Sequence, residues 1–225
     1  MRDGLRSVLP SSHTTLYLVR HGETEYNRRG IMQGGGIDST LNETGREQAQ
    51  ALARRFAPAN LDALYTSPLR RAIQTADILA ADHESLSRTH LRDLSEMDWG
   101  VFEGDAPSPE RDASVEALKS AWRDGAYDRG PTGGESIRDV QDRARNALRH
   151  ILAREAGRTA LVVTHGRYLR VLLATLLDEY GLEHMSDLDH ANTCVNHVIC
   201  EEGRVRARRL NCTAHLSGDG ASVDA

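Results

Sequence analysis

Two histidines and several arginines in this chain stand directly after short apolar runs. The run 15–19 leads into Arg20-His21-Gly22-Glu23, the run 61–66 leads through Ser67-Pro68 to Arg70-Arg71, and the run 159–163 leads into Thr164-His165-Gly166. If the runs are strands of one α/β sheet, their carboxyl ends share a rim and these side chains meet there. An imidazole on that rim can attack phosphorus, while guanidinium groups hold the oxygens of a transferring phosphoryl group. The same set suits a divalent cation poorly, because adjacent arginines would repel it. Arg20, buried at a strand end, needs an anionic partner, which a substrate phosphate supplies. Arg70 and Arg71 point about 100° apart on a helix, so one of them enters the pocket and spacing does not say which. The plainer alternatives are a surface or core role for His21, a polar helix cap for His165 and turn chemistry for Asn27.

The elements that must position these groups follow from periodicity. Strands are expected at 15–19, 61–66 and 159–163, with a late edge hairpin pairing 195–200 with 204–210. A helix over 42–56 buries Ala49, Leu52, Ala53 and Phe56, spaced i, i+3, i+4 and i+7. Ser67-Pro68 reads as an N-cap with proline at the first helical position, turning Leu69, Ala72, Ile73, Ala76 and Leu79 inward. A less regular stretch over 90–134 holds a short helix near 115–122, and its part 105–133 is expected to lie over the site as a cap-like excursion. Ser136, with Asp139 three residues on, opens a long helix buried along Ile137, Val140, Ala144, Ala147, Leu148, Ile151 and Leu152. A helix over 167–177 follows the third strand. Strands alternating with helices predict an α/β three-layer sandwich with a mostly parallel sheet.

Composition sets the limits. The chain has 225 residues, 39% hydrophobic and 27% charged, with a net charge of -5. That length suits one domain, expected over 13–216, with mobile ends at 1–12 and 217–225. The acidic balance argues against nucleic acid or a membrane surface as partner. The longest apolar segment, 169–177, is too short to span a bilayer and contains Arg170. Arg2 and Arg6 precede no apolar segment, so no signal peptide is expected. Cys194, Cys200 and Cys212 lack metal-ligand spacing and read as reduced thiols of a cytoplasmic protein, acting as small hydrophobes.

The motifs together resemble the histidine phosphatase superfamily, with its phosphoglycerate mutase-like fold. Leu18-Val19-Arg20-His21-Gly22-Glu23-Thr24 is similar to the family signature. Asn27 and Gln33-Gly34 resemble the loop that closes on the phosphoryl group, and Leu41-Asn42-Glu43-Thr44-Gly45 with Gln48-Ala49 the helix start that follows. Ser67-Pro68-Leu69-Arg70-Arg71-Ala72 with Gln74-Thr75-Ala76 resembles the second arginine motif. Leu94-Ser95-Glu96-Met97-Asp98-Trp99-Gly100 with Phe102-Glu103-Gly104 matches the segment carrying the proton donor. Gly134-Glu135-Ser136 and Val162-Val163-Thr164-His165-Gly166 complete the order, so the likeness runs over about 15–210. Three departures concern loop shape: Tyr26 where the family often has Trp, an extra residue within 34–38, and Thr40 at a usual proline.

The resemblance implies roles. His21 is the nucleophile, Glu96 the general acid, and Arg20, Arg71 and His165 complete the catalytic set, leaving Arg70 solvated. Arg20, Asn27, Gln33, Gly34, Arg71, His165 and Gly166 bind the phosphoryl group. Neighbouring arginines should depress the His21 pKa. No metal or organic cofactor is implied. The expected partner is a small phosphorylated metabolite, with the protein a monomer or homodimer. Glu23 and Glu135 either cap a helix or pair with a pocket arginine. His13, His83, His90, His150, His184, His190, His197 and His215 are assigned surface or structural roles. Arg111, Lys119, Arg123 and Arg129 could meet a second anionic group or form a solvated helix face. A phosphatase is favoured over a cofactor-dependent mutase, because only 105–133 separates the Glu-Gly and Gly-Glu-Ser motifs. A non-catalytic binder of phosphorylated ligands is the third reading.

Overall fold

The computed structural model describes residues 13–83 and 85–217. Of the ends expected to be mobile, 1–12 and 218–225 lie outside the described residues, while Ser217 caps a short 3-10 turn at Ala214–Leu216. Strand β1 (Thr14–Arg20) is buried on both faces, Leu16 and Leu18 on one and Tyr17 and Val19 on the other. Because side chains alternate across a strand, such a run needs a cover on each side. The remaining strands are β2 (Ala63–Thr66), β3 (Ser87–His90), β4 (Thr159–Thr164), β5 (Val195–Glu201) and β6 (Arg204–Cys212). They form one sheet in the order β3-β2-β4-β1-β5-β6, parallel from β3 to β1 and antiparallel through the β5–β6 hairpin. Glu202 and Gly203 both have left-handed φ, 49° and 72°, at that hairpin's turn, and glycine meets the second at no steric cost.

Among the described residues six α-helices accompany the sheet: α1 (Glu25–Arg28), α2 (Glu43–Phe56), α3 (Arg70–Leu79), α4 (Pro109–Arg123), α5 (Ile137–Arg154) and α6 (Gly166–Leu176). Leu52, Phe56, Ala72 and Leu79 of α2 and α3 share one apolar cluster with Tyr17 and Val19. Trp122, Ile137, Leu148, Leu169 and Leu172 of α4, α5 and α6 share the other with Leu16 and Leu18. The three layers expected from the alternation of strands and helices are therefore present. The α5 stripe from Ile137 to Leu152 is buried throughout, and Ser136 and Asp139 cap it reciprocally.

Four local expectations need correction. Helix α3 starts at Arg70, with Leu69 at the cap position and no side-chain cap. The Ser67 hydroxyl accepts from Leu69 N at 3.2 Å and faces His165 across the sheet at 2.8 Å instead. Leu69 and Ile73, expected inward, are half-buried, and Arg71 and Thr75 occupy buried positions of that helix. Helix α4 begins six residues before the expected 115, because Ser108 caps Arg111 N and Pro109 supplies the first turn. Strand β3 and the four-residue α1 were not expected. β3 is mostly exposed and polar, paired to β2 through its backbone, and α1 is one turn set by a Thr24–Asn27 capping box.

Candidate active site

His21 follows β1 directly, and its N–H donates to the Thr164 carbonyl at 3.0 Å, fixing it beside the end of β4. Gly22 and Gly45 let this turn lie against the start of α2: a Cβ on Gly22 would sit 2.4 Å from the Gly45 carbonyl oxygen. Thr75 holds the turn from behind, its hydroxyl accepting from Gly22 N at 3.0 Å and donating to the Arg71 carbonyl at 2.7 Å. The imidazole Nδ1 lies 2.7 Å from the Gly22 carbonyl oxygen. Since a carbonyl only accepts, Nδ1 carries the proton and Nε2 keeps its lone pair. Burial pushes the His21 pKa well below 6.5, with the charges of Arg71 and Arg20 adding to it. The arginine effect expected from sequence is present, but desolvation is the larger cause.

His165, one residue beyond β4, stacks obliquely on His21 with ring centroids 5.1 Å apart. It occupies the cap position of α6 without a side-chain cap bond, so the helix-cap reading fails. Arg71 Nε donates to its Nδ1 at 3.3 Å, which leaves Nε2–H to donate to Ser67 Oγ at 2.8 Å. Its pKa is likewise held well below 6.5, by burial first and then Arg71 and His21. Arg71 is 1% exposed, whereas the Arg70 side chain is 67% exposed and paired loosely with Asp38 at 3.6 Å. Arg71 also donates to the Ile37 carbonyl at 2.6 Å and the Gly34 carbonyl at 3.1 Å. Among the described residues no carboxylate forms an ion pair with it, and burial, outweighing the charges of Glu96 and Asp38, pushes its pKa down to about 10.

Arg20 donates to the His190 carbonyl at 2.7 Å, and its Nε is enclosed without an acceptor among the described residues. Asn27 has the expected turn chemistry and lines the cavity. Its Oδ1 takes the Thr24 N–H at 3.2 Å in the capping box, and its amide nitrogen has no protein acceptor among the described residues. Gln33 reaches the cavity wall, but its amide is engaged with Thr24 at 2.7 Å and with Ser39. Gly34 does not line the cavity; it holds Arg71 from behind, and a Cβ there would collide with Glu103 at 1.9 Å. Gly166 does line it, at the first residue of α6.

Glu96 sits on the amino end of α6. Its Oε1 accepts from Tyr168 N and Met97 N, both at 2.9 Å, and among the described residues its Oε2 accepts only from Arg167 N at 3.1 Å. Oε2 is thus the oxygen with capacity left for a proton. The segment is clamped by Arg143, which donates to the Ser95 carbonyl at 2.6 Å and pairs with Glu135 at 2.8 Å. Glu135 also accepts from Asp98 N at 2.9 Å, so it neither caps a helix nor meets a pocket arginine. Glu23 accepts from Asn42 Nδ2 at 2.7 Å and stays outside the cavity.

The cavity over these groups has a volume of about 420 Å³, and Arg20, His21, Asn27, Arg71 and Glu96 line it together. His165 is fully buried behind His21 and Arg71 and does not reach its surface. The walls also include Trp99, Arg167, Arg170, His190 and Asn192, none of which was singled out from sequence for the site. His190, assigned a surface or structural role, is buried on the cavity wall, Nδ1 against the Leu188 carbonyl at 2.9 Å and Nε2 unpartnered among the described residues. Arg111, Lys119, Arg123 and Arg129 do not line the cavity. Arg111 ties α4 to the rim through the Gly30 carbonyl at 3.0 Å, and Arg123 is spent on Glu116 at 2.7 Å. Among the described residues no group of three or more His, Cys, Asp or Glu could hold a metal ion. No helix among them is long and apolar enough to cross a membrane.

A parallel-sheet sandwich whose strand ends carry paired histidines and unneutralised arginines is the framework of a known class. The chain belongs to the histidine phosphatase superfamily, branch 1, whose family model matches residues 16–213. It is a phosphatase or phosphoglycerate mutase-like enzyme by that membership. It is 32% identical over 202 residues to phosphoserine phosphatase 1 of Hydrogenobacter thermophilus, covering 89% of this chain and 93% of that protein. It is 38% identical over 167 residues to the probable phosphoglycerate mutase GpmB of Proteus mirabilis, covering 72% and 74% respectively. Among solved structures, a mycobacterial glucosyl-3-phosphoglycerate phosphatase superposes with a TM-score of 0.77 at 29% identity, covering 89% of this chain and 99% of that one.

Proposed function

We propose that the chain hydrolyses small phosphomonoesters through a phosphohistidine on His21, without a metal. The observation that carries this reading is the His21 tautomer: Nδ1–H is committed to the Gly22 carbonyl, and the bare Nε2 belongs to a residue of the arginine-lined cavity. Nε2 attacks phosphorus in line, forming the N–P bond as the bond to the leaving oxygen breaks. Arg20, Arg71 and the Asn27 amide hold the phosphoryl oxygens, and His165 supports Arg71 from beneath. Glu96 gives its proton to the leaving alcohol, then takes one from the water that breaks the N–P bond and frees phosphate. The guanidinium groups supply the positive charge that a metal would otherwise bring. In this reading the partner is a small phosphorylated metabolite and the compartment the cytoplasm.

The likeness to GpmB favours a second reading, in which a substrate hydroxyl replaces water as the phosphoryl acceptor. A panel including phosphoserine, phosphoglycerates, phosphosugars and p-nitrophenyl phosphate, assayed for phosphate release in excess chelator, separates the cases. Release that survives chelation is the expected result. Interconversion of phosphoglycerate isomers without release would select the mutase. Turnover of no ester would leave a binding module, and dependence on added magnesium or zinc would end the metal-free mechanism.

A further inference from the structure

Arg167 lines the catalytic cavity, yet phosphoryl transfer as described has no use for its side chain. Its backbone N–H donates to Glu96 Oε2 at 3.1 Å, so it stands beside the proton donor, on the side where the leaving alcohol must lie. Its guanidinium lies against two indoles, 5.5 Å from the Trp99 ring centre and 5.4 Å from that of Trp122. These faces fix the plane of the fork but offer no acceptor. Among the described residues the guanidinium makes no hydrogen bond and no ion pair, and Nη1 is enclosed without a partner. A desolvated cation in that state is costly until an anion reaches it.

The surroundings deepen that cost. Arg170, one turn along α6, lines the same cavity, and its own donors go to the Ser186 carbonyl at 2.6 Å and Asp189 at 3.2 Å. Burial and the charge of Arg170 push the Arg167 pKa down to about 10. Lys119 of α4 is depressed in turn, by burial and then by Arg167. Glu96, the acid that acts on Arg167, has both oxygens turned to backbone N–H groups. Once it carries the proton for the leaving group, it no longer opposes a second anion. Of these three cations only Arg170 has a carboxylate partner among the described residues, Asp189, and Arg167, the one beside Glu96, has none.

We propose that Arg167 binds a carboxylate on the alcohol half of the substrate. The substrate class is then phosphorylated hydroxy or amino acids, not neutral phosphosugars; this rests on the phosphatase reading above. The Nε and Nη2 edge, without an acceptor among the described residues, matches a carboxylate's two oxygens, while the enclosed Nη1 adds to the cost of the unpaired charge.

The test measures binding on His21→Ala protein, which cannot turn substrate over, by calorimetry with 3-phosphoglycerate and with glycerol 3-phosphate, its analogue lacking the carboxylate. The acid should bind at least about tenfold more tightly. In His21→Ala/Arg167→Gln the preference should fall below about threefold, and in the Arg167→Lys form, which keeps a charge between the indoles, it should fall in part. Equal affinities at the outset, or a preference that neither Arg167 substitution lowers, would overturn the proposal. Should Arg167→Gln fail to fold, the lysine form alone decides. Turnover of p-nitrophenyl phosphate by the native chain is scored separately, so the phosphatase reading can fail while the carboxylate preference stands, and the reverse.

Discussion

Replacing Arg71 by methionine should change stability by no more than about 2 kcal/mol while disabling turnover. Burial takes the guanidinium from 12.5 to about 10. That difference amounts to about 3 kcal/mol by which folding disfavours the charged form. The sign follows from linkage: the folded-state pKa is the lower one, so the unfolded chain holds the proton more readily, and the cost is fully present at neutral pH. Methionine removes that cost and keeps an apolar stem in place. Against it stand the lost bonds to Ile37, Gly34 and His165, together of the same order at about 1 kcal/mol each. The net change in unfolding free energy should therefore stay within about 2 kcal/mol. The rate should respond differently, because a donor aimed at developing phosphoryl charge is worth about 2–4 kcal/mol in kcat/KM. Arg71→Lys should recover only part of the loss, since a point charge does not reproduce the fork. Arg70→Ala, at an exposed side chain, should change either quantity by less than about 1 kcal/mol. Urea unfolding and kcat/KM on one good substrate decide it. An equal or larger rate loss from Arg70→Ala would refute the assignment, and so would an Arg71→Met chain that loses stability and keeps its rate.

Two further outcomes follow from the same geometry. Glu96→Gln removes the proton for the leaving oxygen, so alkyl phosphates should slow by about 10²–10⁴-fold and p-nitrophenyl phosphate, with its better leaving group, by much less; equal losses on both would exclude Glu96 as the acid. His215 is buried against Thr193 at 3.0 Å, and desolvation, with Arg55, pushes its pKa down to about 4. The unfolded chain therefore takes up that proton first, stability falls as pH drops from 6.5 toward 4, and His215→Asn should flatten this dependence by about 1.2 kcal/mol per pH unit near pH 5. Identical slopes in urea unfolding of the two chains would show that the imidazole is not held neutral.

Legibility in the sequence followed how local each determinant is. β1 and β4 each hold an unbroken apolar run, 16–19 and 160–163, that ends in a polar motif, so strand, burial and the placement of His21 and His165 could all be read together. Ser87-Arg88-Thr89-His90 offered no such pattern, because an exposed edge strand is held by backbone pairing with β2. The two Ser-Pro pairs show the limit most clearly. Ser108 caps its helix as its local chemistry suggests, while Ser67, of the same local type, is drawn away by His165, a residue 98 positions distant. Arg167 follows the His165-Gly166 motif directly, yet its character comes from Trp99 and Trp122, contributed by two other segments. His190 looked like any other histidine until the loop before β5 laid it against Arg20. Glu135 was noticed, but its partner Arg143 lies two turns away on α5 and serves the Glu96 segment, not the phosphate.

The central claim is that His21 carries the phosphoryl group. Rapid acid-free quenching of the native chain during turnover of a ³²P-labelled monoester, followed by peptide mapping, addresses it directly. The account predicts a label that is stable in base, lost in acid, located on the peptide containing His21 and absent from His21→Ala. A label that persists in His21→Ala, or turnover in the native chain with no labelled protein at any time, would contradict it.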